Sequence, residues 1–431
     1  MEVLFITLTI FLIIIINPVY SQNQENTIDE LNQEAVKLFK ERKYEQAIRV
    51  SDQVLNSNPD DFSALYNKGR ALNEIKQYDD AKKTFEKIFE KHETVTNLVI
   101  FHYGVSLIGV EDYEKAIQYF DFIDSQDDLY LDALNQKGIA QIQLKKYFLA
   151  IDTFDEILKR NDKQIPALTN QAIAHSKVGL HNKALSYVER VLEMEPDNPS
   201  ALITKGNIFR EQGKNILAIE MFDIVLKKNP DNIEALNNKG AILVDTGKFE
   251  EALNIFDKIL DIIPNDTFAL NNKGSALLNL NSDEEALALF NIVLEIDPQD
   301  ETALNNKGGY FIKKGLFQEA IFQFEKILEK DPHNISALNN KGVALMNLGQ
   351  YEKAIETFNK VLEIDPENII ALNNKNFASS KLFKSSVEDV GKSIDLLFLI
   401  AVIGTGASVI ALFFAVKNEY RIFKQKRKLI L

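Results

Sequence analysis

The sequence predicts an all-α solenoid of stacked helical hairpins, and three observations carry that prediction. Small residues recur at a spacing of 34, once 35, at Ala35, Gly69, Gly104, Gly138, Ala172, Gly206, Gly240, Gly274, Gly308 and Gly342. Alanine follows each of them twelve positions later, at Ala47, Ala81, Ala116, Ala150, Ala184, Ala218, Ala252, Ala286, Ala320 and Ala354. Phenylalanine fills a further equivalent position at Phe85, Phe120, Phe154, Phe222, Phe256, Phe290, Phe324 and Phe358. A period of this length marks hairpins that cannot bury their apolar faces singly and therefore stack. Such an array offers a long surface rather than a pocket.

Composition narrows the functional classes. The 431 residues are 45% hydrophobic and 26% charged, an ordinary balance for a folded helical protein. There is no cysteine, which removes disulfides and thiolate metal sites from consideration. The five histidines lack HExxH-like spacing, and no nucleophile elbow or phosphate loop interrupts the period. Neither an enzyme nor a cofactor is expected. The net charge is −14, yet Lys417, Arg421, Lys424, Lys426, Arg427 and Lys428 are opposed only by Glu419 in the last stretch. The remainder is correspondingly acidic and lacks the basic footprint that nucleic acid requires.

Residues 1–21 are expected to be a signal peptide. An apolar core over residues 3–16 has the right length, Asn17-Pro18 breaks it, and Val19-Tyr20-Ser21 offers a cleavage site after Ser21. Glu2 and the lack of Lys or Arg before the core depart from the pattern, so an uncleaved anchor is the alternative.

Ten repeats follow over residues 28–368. Around Gly240, the spacing of Ala235, Leu236, Gly240, Ala241 and Leu243 predicts a first helix. Thr246-Gly247-Lys248 supplies the turn, with Gly247 free to take a left-handed conformation. Phe249, Ala252, Leu253, Phe256, Ile259 and Leu260 mark the apolar stripe of a second helix, and Pro264 ends it. Gly240 and Ala252 are expected where the two helices cross most closely. The phenylalanines read as filler between hairpins.

These features resemble the tetratricopeptide repeat family, whose signature includes the small residue, the later Ala, the Phe and a closing proline. The prolines here are Pro59, Pro196, Pro230, Pro264, Pro298, Pro332 and Pro366. The family's large aromatic near the start of the first helix is replaced by leucine, as in Leu236, Leu270 and Leu304. The resemblance implies a right-handed superhelix whose concave face is lined by the first helices. It also implies protein or peptide binding without catalysis. Repeats two to four are irregular: an extra residue separates Gly69 from Gly104, and Glu93, Asp128 and Asp162 stand where prolines are due. That irregularity reads as a loop insertion or as a hinge after the fourth repeat.

At the far end the pattern fails at Asn376 and Glu388, where Gly and Ala are due. Residues 369–384 therefore read as a capping helix and residues 385–395 as a polar linker. Residues 396–416 carry no charge and, at about 1.5 Å per residue, match a bilayer core of about 30 Å. A single transmembrane helix is expected there, with a basic cytoplasmic tail over residues 417–431 and the repeats outside the cytoplasm. Two glycosylation sequons, at Asn265 and Asn334, are compatible with that side. Ala407, Ala411 and Ala415 form a small-residue row in the span that would let a second copy approach.

The candidate binding surface is an asparagine ladder two residues before the small position: Asn238, Asn272, Asn306, Asn340 and Asn374, preceded by Asn237, Asn271, Asn305 and Asn339. An amide side chain both donates and accepts, so it can pair with the backbone of an extended peptide without demanding sequence. The alternative is that these asparagines only record the repeat consensus. The predicted function is a membrane-anchored, extracytoplasmic scaffold for partner proteins or peptides. A self-associating spacer of the cell envelope is the competing reading.

Overall fold

The computed structural model describes residues 27–403, 417–422 and 425. The expected signal peptide, part of the expected span (404–416) and most of the basic tail lie outside the described residues. Helix α1 covers residues 27–40. First and second helices then alternate through α2 (Tyr44–Ser57), α3 (Phe62–Glu74), α4 (Tyr78–Lys91), α5 (Asn97–Gly109), α6 (Tyr113–Phe120) and α7 (Tyr130–Gln143). They continue as α8 (Tyr147–Arg160), α9 (Ile165–Lys177), α10 (His181–Met194), α11 (Pro199–Glu211) and α12 (Asn215–Lys228). Next come α13 (Ile233–Asp245), α14 (Phe249–Ile262), α15 (Thr267–Asn279), α16 (Asp283–Ile296) and α17 (Glu301–Lys313). The last are α18 (Phe317–Lys330), α19 (Ile335–Asn347), α20 (Tyr351–Ile364) and α21 (Ile369–Ile403). The described residues form an all-α repeat array, divided into two compact units between Val225 and Leu226. The division falls within α12, in the sixth repeat.

Each hairpin closes through one residue in the left-handed region. Gly179, Gly213, Gly247, Gly315 and Gly349 take φ between +71° and +77°, the freedom expected of Gly247. The first four hairpins place Arg42, Lys76, Glu111 and Lys145 there, and Asn281 closes the eighth. A side chain at such a φ is strained by about 1–2 kcal/mol.

Between repeats, proline and a cap act together. Asp61, Asn198, Asn232, Asp266, Asp300, Asn334 and Asn368 each accept a hydrogen bond from the backbone N–H three residues on. Each stands two residues after a closing proline. The proline stops one helix, and the cap satisfies an orphan donor of the next. Helices α5, α7 and α9, which follow the three missing prolines, start without a side-chain cap. The irregularity is deepest in α6, which is only 8 residues long. A run containing Asp121, Asp124, Ser125, Asp127 and Asp128 follows it. Such side chains compete for backbone hydrogen bonds and favour turns: Asp124 accepts from the Gln126 N–H and Asp127 from the Leu129 N–H.

The group nearest to Gly240 across the hairpin is a ring. A Cβ at Gly240 would lie 2.6 Å from the Phe256 ring, and every other helical glycine of the small-residue series faces its own phenylalanine in the same way. The glycine makes room for a ring sixteen positions on. Where the chain has alanine instead, at Ala35 and Ala172, the ring is replaced by Ser51 and Val188, all four fully buried.

One expectation at the carboxyl end changes. Helix α21 runs unbroken over 35 residues, so the stretch expected to be a linker over residues 385–395 is helical and continuous with the cap. No proline interrupts it, and proline is the residue that breaks helices most strongly. Among the described residues no helix is long and apolar enough to cross a membrane.

Candidate peptide-binding groove

In each unit the first helices pack on one another as well as on their second helices. In unit two, α13 touches α15, α15 touches α17, α17 touches α19 and α19 touches α21, whereas successive second helices do not pack. The face carried by the first helices is therefore the inner one. All the ladder asparagines fall within unit two.

Asn238, Asn272, Asn306, Asn340 and Asn374 are half-buried on that inner layer. The asparagine Nδ2 atoms make different bonds. Asn272 donates to the Phe268 carbonyl at 2.9 Å, one helical turn back. Asn340 donates to Asn305 Oδ1 of the preceding repeat at 3.1 Å, and Asn305 donates to Ser336 Oγ at 3.2 Å. Asn170 repeats that inter-repeat bond in unit one, donating to Asn135 at 3.0 Å. Among the described residues, Asn238, Asn306 and Asn374 have no side-chain partner.

The preceding asparagines face elsewhere. Asn271 is 3% exposed, and its amide donates to Asp300, the cap of α17, at 3.1 Å. Asn339 is also buried, and Asn237 and Asn305 are half-buried. One residue turns a helix by about 100°, enough to move this position from the groove to the seam with the next repeat. Asn271 therefore ties two repeats together, and Asn339 is buried at the equivalent position. Asn32 does the same for Asp61 in unit one.

Sequence reasoning missed two sets of residues. In several repeats the lysine after the ladder position reaches sixteen residues back, to the second helix of the preceding repeat or its end. Lys68 meets Asp52, Lys137 meets Asp121, Lys273 meets Asp257 and Lys341 meets Glu325, all within 2.7 Å. Lys307 finds Asn291 instead of an acid, and burial together with Lys326 holds it below the usual lysine range. Lys68, Lys137, Lys273 and Lys341 are thus already paired with acids. The second set is apolar: Phe268, Ile370 and Phe377 are exposed. They stand four before Asn272, four before Asn374 and three after Asn374, hence on the same helix face.

Unit one has a different first rung. Lys37, Lys40, Phe62, Tyr66, Asn67 and Arg70 are among the residues lining a cavity of about 800 Å³. The Arg70 guanidinium carbon lies 3.9 Å from the centre of the Phe39 ring, a cation–π contact. At the third repeat the ladder residue is His102. Burial, and then the charge of Arg70, push its imidazole down to about 4.

One trio has the composition of a hydrolase triad. Ser176 donates to Glu211 Oε2 and lies 3.3 Å from His181 Nδ1. The carboxylate, not the imidazole, takes the serine's hydrogen bond. Lys177 also holds Glu211, at 2.8 Å. The arrangement locks α9 to α11 rather than activating a nucleophile. Among the described residues no cluster of His, Cys, Asp or Glu could hold a metal ion.

Family models described as Tetratricopeptide repeat match residues 38–94, 203–267, 243–306 and 335–368. Solved structures similar to this chain include the human IFIT1 dimer with m7Gppp-AAAA. It is 14% identical, with 85% of this chain and 89% of that chain covered and a TM-score of 0.53. A tetratricopeptide repeat protein from Parabacteroides merdae is 17% identical over 57% of this chain and 98% of its own, with a TM-score of 0.49. Yeast Tom70 is 15% identical over 94% and 97%, with a TM-score of 0.44. No curated protein matches the chain.

Proposed function

The chain belongs to the tetratricopeptide repeat family, and we propose that it is a membrane-anchored scaffold displayed outside the cytoplasm that holds extended segments of partner proteins. The observation that carries the binding reading is the inner face of unit two. There Asn238, Asn306 and Asn374 present amides without side-chain partners, and Phe268, Ile370 and Phe377 are uncovered. The amides suit a peptide backbone, and the apolar groups suit alternate side chains of the same ligand. Each net hydrogen bond contributes about 0.5–1.5 kcal/mol, so binding through this face is reversible.

The anchoring reading rests on the uncharged stretch 396–416 and the basic cluster that follows it. Basic residues stay on the cytoplasmic side, which leaves the repeats on the other.

Photo-crosslinking from Ser275, three residues after Asn272 on the same helix face, in intact cells, followed by identification of what is attached, names the partner. Replacing Asn238, Asn306 and Asn374 together by Ala is expected to weaken that partner about tenfold or more, with helicity unchanged. Unchanged affinity with unchanged helicity rejects the groove as the binding face.

A further inference from the structure

We propose that the hairpin-turn edge of the fourth to sixth repeats, in unit one, rests on the surface of an anionic phospholipid bilayer. Of the ten second helices, α2 to α20, seven carry Asp or Glu in the first turn. There an acid complements the positive end of the helix dipole. Helices α8, α10 and α12, in three consecutive repeats, have none. Apolar side chains stand in water there instead. Phe148 is 71% exposed and Ile216, two periods later, is 76% exposed; Leu149 and Leu217 beside them are also exposed. Leu180, in the turn before α10, is exposed on the same edge of the repeat between. Nothing in the fold rewards this exchange, which forfeits a dipole contact and leaves hydrocarbon in water.

The charge of the edge identifies the occupant. The stretches 144–149, 178–183 and 212–217 contain no Asp or Glu, in a chain whose net charge is −14. They contain Lys145, Lys146, Lys183 and Lys214, all exposed. Lys146 lies 3.9 Å from Glu114, whereas Lys145, Lys183 and Lys214 have no carboxylate partner among the described residues. Unpaired ammonium groups beside projecting Phe, Leu and Ile suit the headgroup region of a bilayer. The apolar tips enter the acyl boundary and the lysines meet phosphate.

Shape and area favour lipid over a protein. The five apolar side chains project separately from the ends of three hairpins, so a yielding medium suits them better than a matched cavity. They leave on the order of 500 Å² uncovered, short of the roughly 800 Å² per partner of a stable protein interface. The edge is separate from the asparagine face, which belongs to the first helices of unit two.

The chain has no tryptophan, so one introduced indole reports its own surroundings in the full-length protein reconstituted in vesicles. Phe148→Trp and Ile216→Trp are expected to blue-shift, and to be quenched by brominated acyl chains, when the vesicles contain phosphatidylglycerol. Gln46→Trp, exposed on the equivalent edge of the first repeat, is expected to stay unquenched. Lys145→Gln, Lys183→Gln and Lys214→Gln together are expected to lower the quenched fraction about tenfold or more, since each lysine at an anionic surface contributes roughly fivefold. Phosphatidylcholine alone should have the same effect. Phe148→Trp quenched no more than Gln46→Trp overturns the proposal, as does equal quenching with and without phosphatidylglycerol. An unquenched edge that cross-links to a protein in intact cells overturns it in favour of a protein partner. Flotation is read separately from quenching. Quenching in anionic vesicles by a protein that does not float with neutral ones supports this surface and removes the anchor, and flotation without quenching does the reverse.

Discussion

At the scale of single residues, glycine and phenylalanine act as one unit. The glycine series looks in sequence like a helix-crossing device, and the ring sixteen positions later is what lies against it. The chain itself contains the control, because both alanine variants of the position lack the ring. Gly240→Ala is expected to destabilise the fold by about 1–3 kcal/mol through overpacking, despite alanine's better helix propensity. Phe256→Val should offset it, so that the double variant is less destabilised than the two single effects predict; urea unfolding measures all three. A different residue governs pH. His102 stays neutral in the fold down to about 4, while the unfolded imidazole protonates near 6.5. Between those values the unfolded chain binds more protons, so stability falls as pH drops from 6.5 toward 4. His102→Gln should flatten that part of the stability profile in denaturant titrations across the window.

At the scale of elements, helix boundaries are written as pairs of signals. A proline closes one helix and an Asp or Asn two residues later caps the next, and the repeats that lose one lose both. Only the proline half was read from sequence, because an Asp or Asn in an acidic, asparagine-rich chain is inconspicuous until its oxygen is seen on a backbone N–H. The cap also reaches across repeats: Asp300 accepts from both Ala303 and Asn271. Asp300→Ala is therefore expected to cost more than the roughly 1 kcal/mol of an isolated cap, since Asn271 is left buried and unpaired. Asp266→Ala, whose side chain accepts only from Ala269 among the described bonds, should cost less in the same thermal melt. The asparagine ladder divides by the same logic. Its second member faces inward, and its first stands one residue, about 100°, away, at the seam between repeats.

At the scale of the whole molecule, the proposed topology is tested on sealed cells. External protease is expected to remove the repeats and spare the tail, and removal of residues 396–431 is expected to release the protein from the membrane fraction. Trimming of the tail alone would reverse the topology. The sequence by itself determined the repeat count, the hairpin turns and the buried phenylalanines. Those features follow from local periodicity and composition, which repeat within one 34-residue unit. Only the tertiary structure decided which asparagines reach the groove, which lysines are already paired, and that α21 continues past its cap. Those outcomes depend on what the neighbouring repeat places opposite each side chain, and a contact between repeats leaves no mark in the period that produces it.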